Sequence, residues 1–279
     1  MVIDAHCHIL PPSFSDRRAE IAQRDATFAA LLSEPNATIA SAEDLLAAMD
    51  RDGVERAVVM GMGWTNHQVA VEANDYIIQS VADNPSRLTG FCSVNPAWGE
   101  RAVTEARRCL AAGLAGIGEL HADTQGFDIT KVVAMAPVME LARSNQLPVL
   151  VHASEPVGHT YPGKGGTTPG KLFRFIQNFP GNVIICAHWG GGLPFYSLMP
   201  EVKESLKNVY FDSAASPFLY RPEVFATVTE LAGAGKVLFA SDYPLLEMSR
   251  PLEQARSAGL APDVEAALLS GNAAKLLGL

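Results

Sequence analysis

VIICAHWGGG, residues 183–192, is a continuously apolar run closed by a histidine and a glycine turn. An uninterrupted run of β-branched residues suits a strand of parallel sheet buried on both faces, not one that alternates between core and water. Outward from this stretch, PVLVHAS at 148–154, GIGELH at 116–121 and LFASDYP at 238–244 repeat the pattern of an apolar run that ends on an ionisable residue. Eight strand candidates result: Val2–Ile9, Arg56–Met62, Leu88–Val94, Ala115–Leu120, Pro148–Ala153, Val183–His188, Val209–Ser213 and Val237–Asp242.

Helical patterns separate them, at roughly 41–53, 68–83, 100–112, 131–146, 168–179, 194–207, 222–234 and 262–278. The first carries its own start and stop signals: Ser41 and Asp44 have capping-box spacing, Leu45, Leu46 and Met49 form the apolar stripe, and Gly53 ends it. Strand then helix, eight times in 279 residues with no linker-like stretch, predicts one domain over residues 1–279, an α/β fold of the (β/α)8 TIM barrel type. An open doubly wound sheet is the alternative, but no G-x-G-x-x-G follows the first strand. Two strand-to-helix connections are long, residues 11–40 and the Gly/Pro-rich 154–170. Both belong at the C-terminal face of a barrel, and the second has the composition of a lid.

The chain is 48% hydrophobic with a formal net charge of −9 and no block of basic residues, which argues against nucleic-acid or acidic-membrane partners and leaves a small molecule as the expected substrate. No run is long enough to span a membrane. Cys7, Cys92, Cys109 and Cys186 are scattered, without C-x-x-C pairs. With no signal-like start, this makes a reducing cytoplasm the expected location. Composition leaves open whether the chain acts alone or as a homo-oligomer.

The chemistry concentrates at strand ends. His6 and His8 are spaced as H-x-H, so a period of two sends both side chains to one face. His152 closes strand 5, His188 strand 6, Asp242 strand 8 and Glu119 strand 4. Four of the seven histidines thus fall at equivalent positions. Burying several ionisable groups together costs several kcal/mol each unless they pair or bind a cation. Imidazole and carboxylate donors suit a divalent metal, zinc foremost. Other residues that follow strands are candidates for the pocket wall: Trp64, Asn66, His67, Asn95, His121, His159, Tyr161, Lys164, Trp189, Ser213 and Tyr243. The run Gly190–Gly192 lacks the Lys-Ser/Thr of a phosphate loop and reads as a tight turn that lets backbones approach closely.

DAHCHILP at 4–11, VLVHAS at 149–154, AHWGGGLPF at 187–195, LFASDYP at 238–244 and GNAAKLLGL at 271–279 resemble the amidohydrolase superfamily, in particular its amidohydrolase-related group of lactonases and aminocarboxymuconate-semialdehyde decarboxylase-like enzymes. The resemblance implies that His6, His8, His152 and Asp242 are metal ligands. It implies that His188 is either a ligand to a second ion or a base and electrostatic aid beside a single one. Glu119 stays open between two roles: a bridge between two ions, as in TatD-like members, or a carboxylate that holds a histidine ring. One or two ions are therefore expected. The resemblance also implies that Asp242 moves the proton in catalysis, with His188 beside the developing charge. Two reactions fit: hydrolysis of an ester, lactone or amide by activated water, and non-oxidative decarboxylation. Arg17, Arg18, Arg221, Arg250 and Lys164 are the cations considered for the barrel mouth, and none follows its strand directly. Hydrolysis of a weakly charged substrate is the expectation on that ground, with decarboxylation as the alternative.

Overall fold

Eight strands lie at Ile3–His8 (β1), Arg56–Met60 (β2), Leu88–Cys92 (β3), Gly116–Leu120 (β4), Pro148–Val151 (β5), Val183–Cys186 (β6), Val209–Asp212 (β7) and Val237–Leu238 (β8) in the computed structural model, which describes residues 1–279. They pair in parallel in the order β1 to β8. The segment after β8 returns to β1: Ala5 N donates to Phe239 O at 2.8 Å, Asp242 N to His6 O at 3.0 Å and His8 N to Tyr243 O at 2.7 Å. These bonds close a (β/α)8 barrel, and the open-sheet alternative falls away.

Two apolar layers hold it. An inner cluster that includes Ile3, Ala5, Val58, Met60, Leu150, Ile185 and Leu238 fills the barrel, and Ala273 from the last helix joins it from below. A larger cluster of 54 buried residues lies between the strands and the surrounding helices. The helix Ala42–Asp52 begins with the expected Ser41–Asp44 capping box and ends at Gly53, φ +73°. No helix is long and apolar enough to cross a membrane.

Three elements differ from the sequence reading. β8 ends at Leu238 rather than Asp242, because Phe239 to Asp242 leave regular pairing and Asp242 takes φ +68°. The helix expected over 194–207 is a 3₁₀ turn, Leu193–Leu198, and a short helix, Pro200–Ser205; Pro200 has no N–H to continue the first into the second. The helix Ser249–Arg256 was not anticipated, since Pro251 reads as a breaker but is tolerated in a first turn. The long connection at 11–40 is itself folded: Phe14, Ile21, Phe28 and Leu32 of its short helices pack around Trp64.

What positions the site is a pair of extra residues in the ladder. Between Asp4 and Cys7 three steps of β1 match two of β2, Ala57 to Val59. The inward parity of Ile3 and Ala5 is thereby broken: Cys7 and Ile9 join the outer layer, and His6 and His8 turn inward. β4 repeats the device against β5, since Ile117 and Leu120 pair with Val149 and Val151 and both face the outer layer, which leaves Glu119 inward. Gly118 makes this fit, with φ +145° and a position where a Cβ would lie 2.7 Å from Leu150 O. Gly118→Ala is therefore expected to cost about 2 kcal/mol or more in chemical denaturation. Gly170→Ala, in open space within the helix Pro169–Asn178, should be neutral or slightly stabilising.

Candidate metal centre

Four imidazoles and two carboxylates meet at the C-terminal mouth of the barrel, all of them buried. His6 Nε2 and His8 Nε2 are 3.1 Å apart. Asp242 Oδ1 lies 3.3 Å from His8 Nε2 and 3.8 Å from His6 Nε2, and Glu119 Oε2 is 3.8 Å from each of those nitrogens. The other Glu119 oxygen, Oε1, faces a second pair, His152 Nδ1 at 2.9 Å and His188 Nε2 at 3.5 Å. Two donor triads result, His6–His8–Glu119 and Glu119–His152–His188, each with its donor atoms within 4.8 Å of one another. All six sequence-predicted residues thus come together, although His152 and His188 sit just beyond the ends of β5 and β6.

The back of each ring is fixed. His6 Nδ1 bonds Asp212 Oδ2 at 3.0 Å, His8 Nδ1 bonds Gly61 O at 3.1 Å and His188 Nδ1 bonds Ala214 O at 3.1 Å. Carboxylate and carbonyl oxygens only accept, so each of these Nδ1 atoms carries the proton and each Nε2 is left for the cluster. His152 is turned the other way, its Nε2 3.2 Å from Ser154 Oγ. His121, a wall candidate after strand 4, stacks on His152 with ring centroids 3.9 Å apart and so lines the site.

The backbone around His188 is a left-handed turn. His188, Trp189, Gly190, Gly191 and Gly192 all have φ between +54° and +94°. The close approach read from the glycine run is present: a Cβ on Gly191 would lie 2.4 Å from Ser154 O. Positive φ at His188, Trp189 and Asp242 costs about 1–2 kcal/mol each, and such strain is characteristic of functional sites.

Sequence reasoning missed two residues. Asp212, fully buried at the end of β7, holds His6 and also accepts from the His188 and Ala214 amides at 3.0 Å. Its signal was present, since VYFD ends on a carboxylate as LFASD does. Asp4 lies behind the ligand strands and accepts from His6 N at 3.1 Å and Ser241 N at 3.0 Å, which ties β1 to the segment carrying Asp242. Conversely, several proposed wall residues are structural. Trp64 packs on Phe14 and Phe28, Asn66 caps the helix His67–Asp83, His67 packs on Trp98, Asn95 bonds Gln125 O, Trp189 bonds Ser216 Oγ and Ser213 bonds Ala240 O. Tyr243 packs in the outer core, and Lys164 bonds the carbonyls of Val157 and His159 in its own loop.

The electrostatics follow from burial without any fixed cation. The ion-pair partners of Glu119 and Asp242 are all histidines. Arg17 pairs with Glu72, Arg18 bonds the carbonyls of Leu32, Glu34 and Ala37, Arg221 reaches Glu223, and Arg250 lies over Phe218. Burial alone would raise the Asp242 carboxyl, but the His8 hydrogen bond and the neighbouring imidazoles hold it down at about 2. Burial likewise opposes the charged form of Glu119, yet His152, His188 and His6 keep it well below the usual carboxylate range. The carboxylates answer in kind. Against burial, Asp212 raises His6 to about 9, and Glu119 with Asp242 raises His188 to about 10. Burial and the adjacent His152 push His121 down to about 4. A concentration of ionised carboxylates and aligned imidazoles with no Lys or Arg among them is the donor chemistry of a divalent metal site.

A family model described as amidohydrolase matches residues 3–279. The chain belongs to the amidohydrolase family. It is 26% identical over 276 residues to the 2-amino-3-carboxymuconate-6-semialdehyde decarboxylase of Dictyostelium discoideum, covering 83% of this chain and 75% of that protein. A 102-residue stretch is 33% identical to 6-methylsalicylic acid decarboxylase of Penicillium expansum, 30% of this chain and 31% of that one. In fold the chain is similar to a dihydroxybenzoic acid decarboxylase from Polaromonas sp. JS666 solved with bound manganese and 2-nitroresorcinol, TM-score 0.77 at 18% identity, covering 100% of this chain and 97% of that one. The family and the barrel expected from the sequence are thus both found. The relatives' names, however, are those of decarboxylases, not hydrolases.

A ligand nitrogen must be free of its cluster-side proton before a metal can take it. His6 and His188, raised to about 9 and 10 by the carboxylates, hold those protons at neutral pH in the metal-free protein. Metal uptake should therefore release protons, and apparent affinity should climb from pH 6 towards pH 9. Calorimetric titration with zinc or manganese in two buffers of different ionisation enthalpy measures this. Uptake with no proton release and the same affinity across that range would contradict it.

Proposed function

We propose that this chain is a metal-dependent, non-oxidative decarboxylase of a small unsaturated or aromatic carboxylic acid. The observation that carries the reading is the complete donor set, assembled at one barrel mouth, in a chain whose curated relatives are decarboxylases by name. This replaces the hydrolytic expectation with its alternative. His6, His8, Asp242 and Glu119 would hold one divalent ion, and Glu119, His152 and His188 would hold a second. The back-side bonds already hold the rings of His6, His8 and His188 in place, and the donor set accepts manganese as well as zinc. A divalent ion there supplies the positive charge that draws in a substrate carboxylate and stabilises the electron pair left when carbon dioxide departs.

The chain's own residues do the rest. Asp242, ionised at rest, takes up one H⁺ from the buffered solvent in each turnover, the proton that the net reaction consumes. The C–COO⁻ bond breaks, its electron pair stays on carbon, and Asp242 returns the proton to that carbon: R–COO⁻ and H⁺ become R–H and CO₂. His188 has Nδ1 committed to Ala214 O, so its one free nitrogen, Nε2, would hold the second ion or, beside a single ion, face the charge that develops. Ser154, His121 and the glycine turn pack around His152 and His188 and keep bulk water out.

One observation favours a second reading. No Arg or Lys reaches the donor cluster, which suits a neutral ester, lactone or amide and hydrolysis at the same centre. Product analysis separates the two. Metal-loaded protein given a panel of aromatic and muconate-type acids, esters, lactones and amides is expected to release carbon dioxide from an acid. Turnover of a neutral substrate alone would reverse the assignment. Asp242→Asn should lower that turnover by about 10²–10⁴-fold; a variant that keeps both its metal and its turnover would remove Asp242 from the proton's path. Glu119→Gln should reduce metal content from about two ions per chain to one or fewer, by elemental analysis. A single ion in the parent protein, with affinity falling only about 10–100-fold in the variant, would instead make Glu119 a positioning carboxylate.

A further inference from the structure

The donor cluster is almost sealed. His8, Glu119, His152, His188 and Asp242 are each 8% exposed or less, and His6 is fully buried. An ion and a substrate must both reach these atoms, so part of the mouth has to move. The strands are held by their ladder, which leaves the loops above them.

The loop after β5 is pinned at both ends. Ser154 holds one end; at the other, Gly163, Gly165 and Thr167 are bonded to His121 Nε2, Ser154 Oγ and Asp123. Between the ends, residues 156–160 are exposed. Lys164 Nζ bonds Val157 O and His159 O and lies 5.6 Å from the Tyr161 ring, so this tip moves as one body with Tyr161. Tyr161 is tied back to the pinned start of the loop, its hydroxyl donating to Glu155 Oε2 at 3.2 Å. From the far side Tyr220, in the loop after β7, donates its hydroxyl to the same carboxylate. The Tyr220 carbonyl accepts from Gln254 Nε2 at 2.7 Å, which holds its backbone and leaves the ring as the part that swings.

This link passes over the turn that follows His188, and the glycines there make room for it. A Cβ on Gly191 would lie 2.4 Å from Ser154 O, and one on Gly192 would lie 3.4 Å from the Tyr220 hydroxyl. Burial and the Glu155 charge push the Tyr161 phenol up to about 12 and raise that of Tyr220 further, so both remain donors at neutral pH.

We propose that Glu155 is the catch of a two-phenol gate: Tyr161 and Tyr220 close the mouth from two different loops by donating to one carboxylate, and ions and substrate enter when they let go. The gate does not depend on which reaction the donor cluster performs.

The test times an ion and then the loop itself. Zinc-loaded full-length protein is mixed with excess EDTA and release is followed; uptake by the metal-free protein is followed with a chromogenic zinc chelator. A gate changes both rates and leaves their ratio alone. Glu155→Leu should therefore speed release and uptake by about 10-fold or more each, the size of a lost hydrogen bond to a charged acceptor, with Kd within about twofold and melting temperature unchanged. Glu155→Gln, which keeps one acceptor oxygen, should fall between. Tyr161→Phe and Tyr220→Phe should each speed both rates in the parent background and add nothing in Glu155→Leu, since each phenol acts through that carboxylate. Amide hydrogen exchange across residues 154–168 of the metal-free protein reads the same opening and should quicken in the same variants. Rates and exchange in Glu155→Leu within about twofold of the parent overturn the proposal. So does faster release with weaker binding, which would make Glu155 a support of the donors, or a Tyr220→Phe effect that persists in Glu155→Leu. If the protein takes up no ion, the metal reading fails and exchange alone decides the gate.

Discussion

Glu119 sits between four imidazoles, and the arrangement of the mouth depends on it. One oxygen faces His6 and His8, the other His152 and His188. A carboxylate this buried is tolerated only where positive charge surrounds it, and the chain supplies none from Lys or Arg. The charge must come from protons on the histidines or from metal ions that replace them. That competition explains why the same residues that form ion pairs in the metal-free chain are those able to ligate a cation.

The fold is bent to serve this arrangement. A regular barrel strand would have left His6 and Glu119 facing the helices. An extra residue in β1 and another in β4 reverse the parity where the donors lie. Elsewhere at the mouth, His188 and Asp242 are delivered by backbone in the left-handed region instead of by strand. Both devices sacrifice regular hydrogen bonding or backbone ease, and the buried inner and outer layers offset the cost. Behind the donors, Asp212 and Asp4 hold the strands and rings in register, so the precision of the centre rests on carboxylates that need never touch a substrate.

The loops add selectivity to this fixed base. His121 and Asp123 anchor the loop after β5, through Gly163 O and Thr167, and so hold in place the segment that carries Glu155 and Tyr161. Chemistry at the donor cluster and recognition at the mouth are then separable, as the rigid barrel with variable loops allows.

The sequence by itself determined the barrel and the six ionisable residues that meet at its mouth, because buried parallel strands read as apolar runs and an ionisable residue at the end of such a run has few bland uses. It also gave the Ser41 cap and the glycine turn, both local devices with local signals. It could not show that Glu119 offers one oxygen to each histidine pair, since that depends on how β1, β4, β5 and β6 close around one another. Nor could it separate Asp212, which holds His6, from an ordinary strand-end carboxylate, or Trp64, packed against Phe14 and Phe28, from a pocket wall. Periodicity reports which face a residue takes along its own element; which groups meet across elements is set only when the chain closes and excludes water between them.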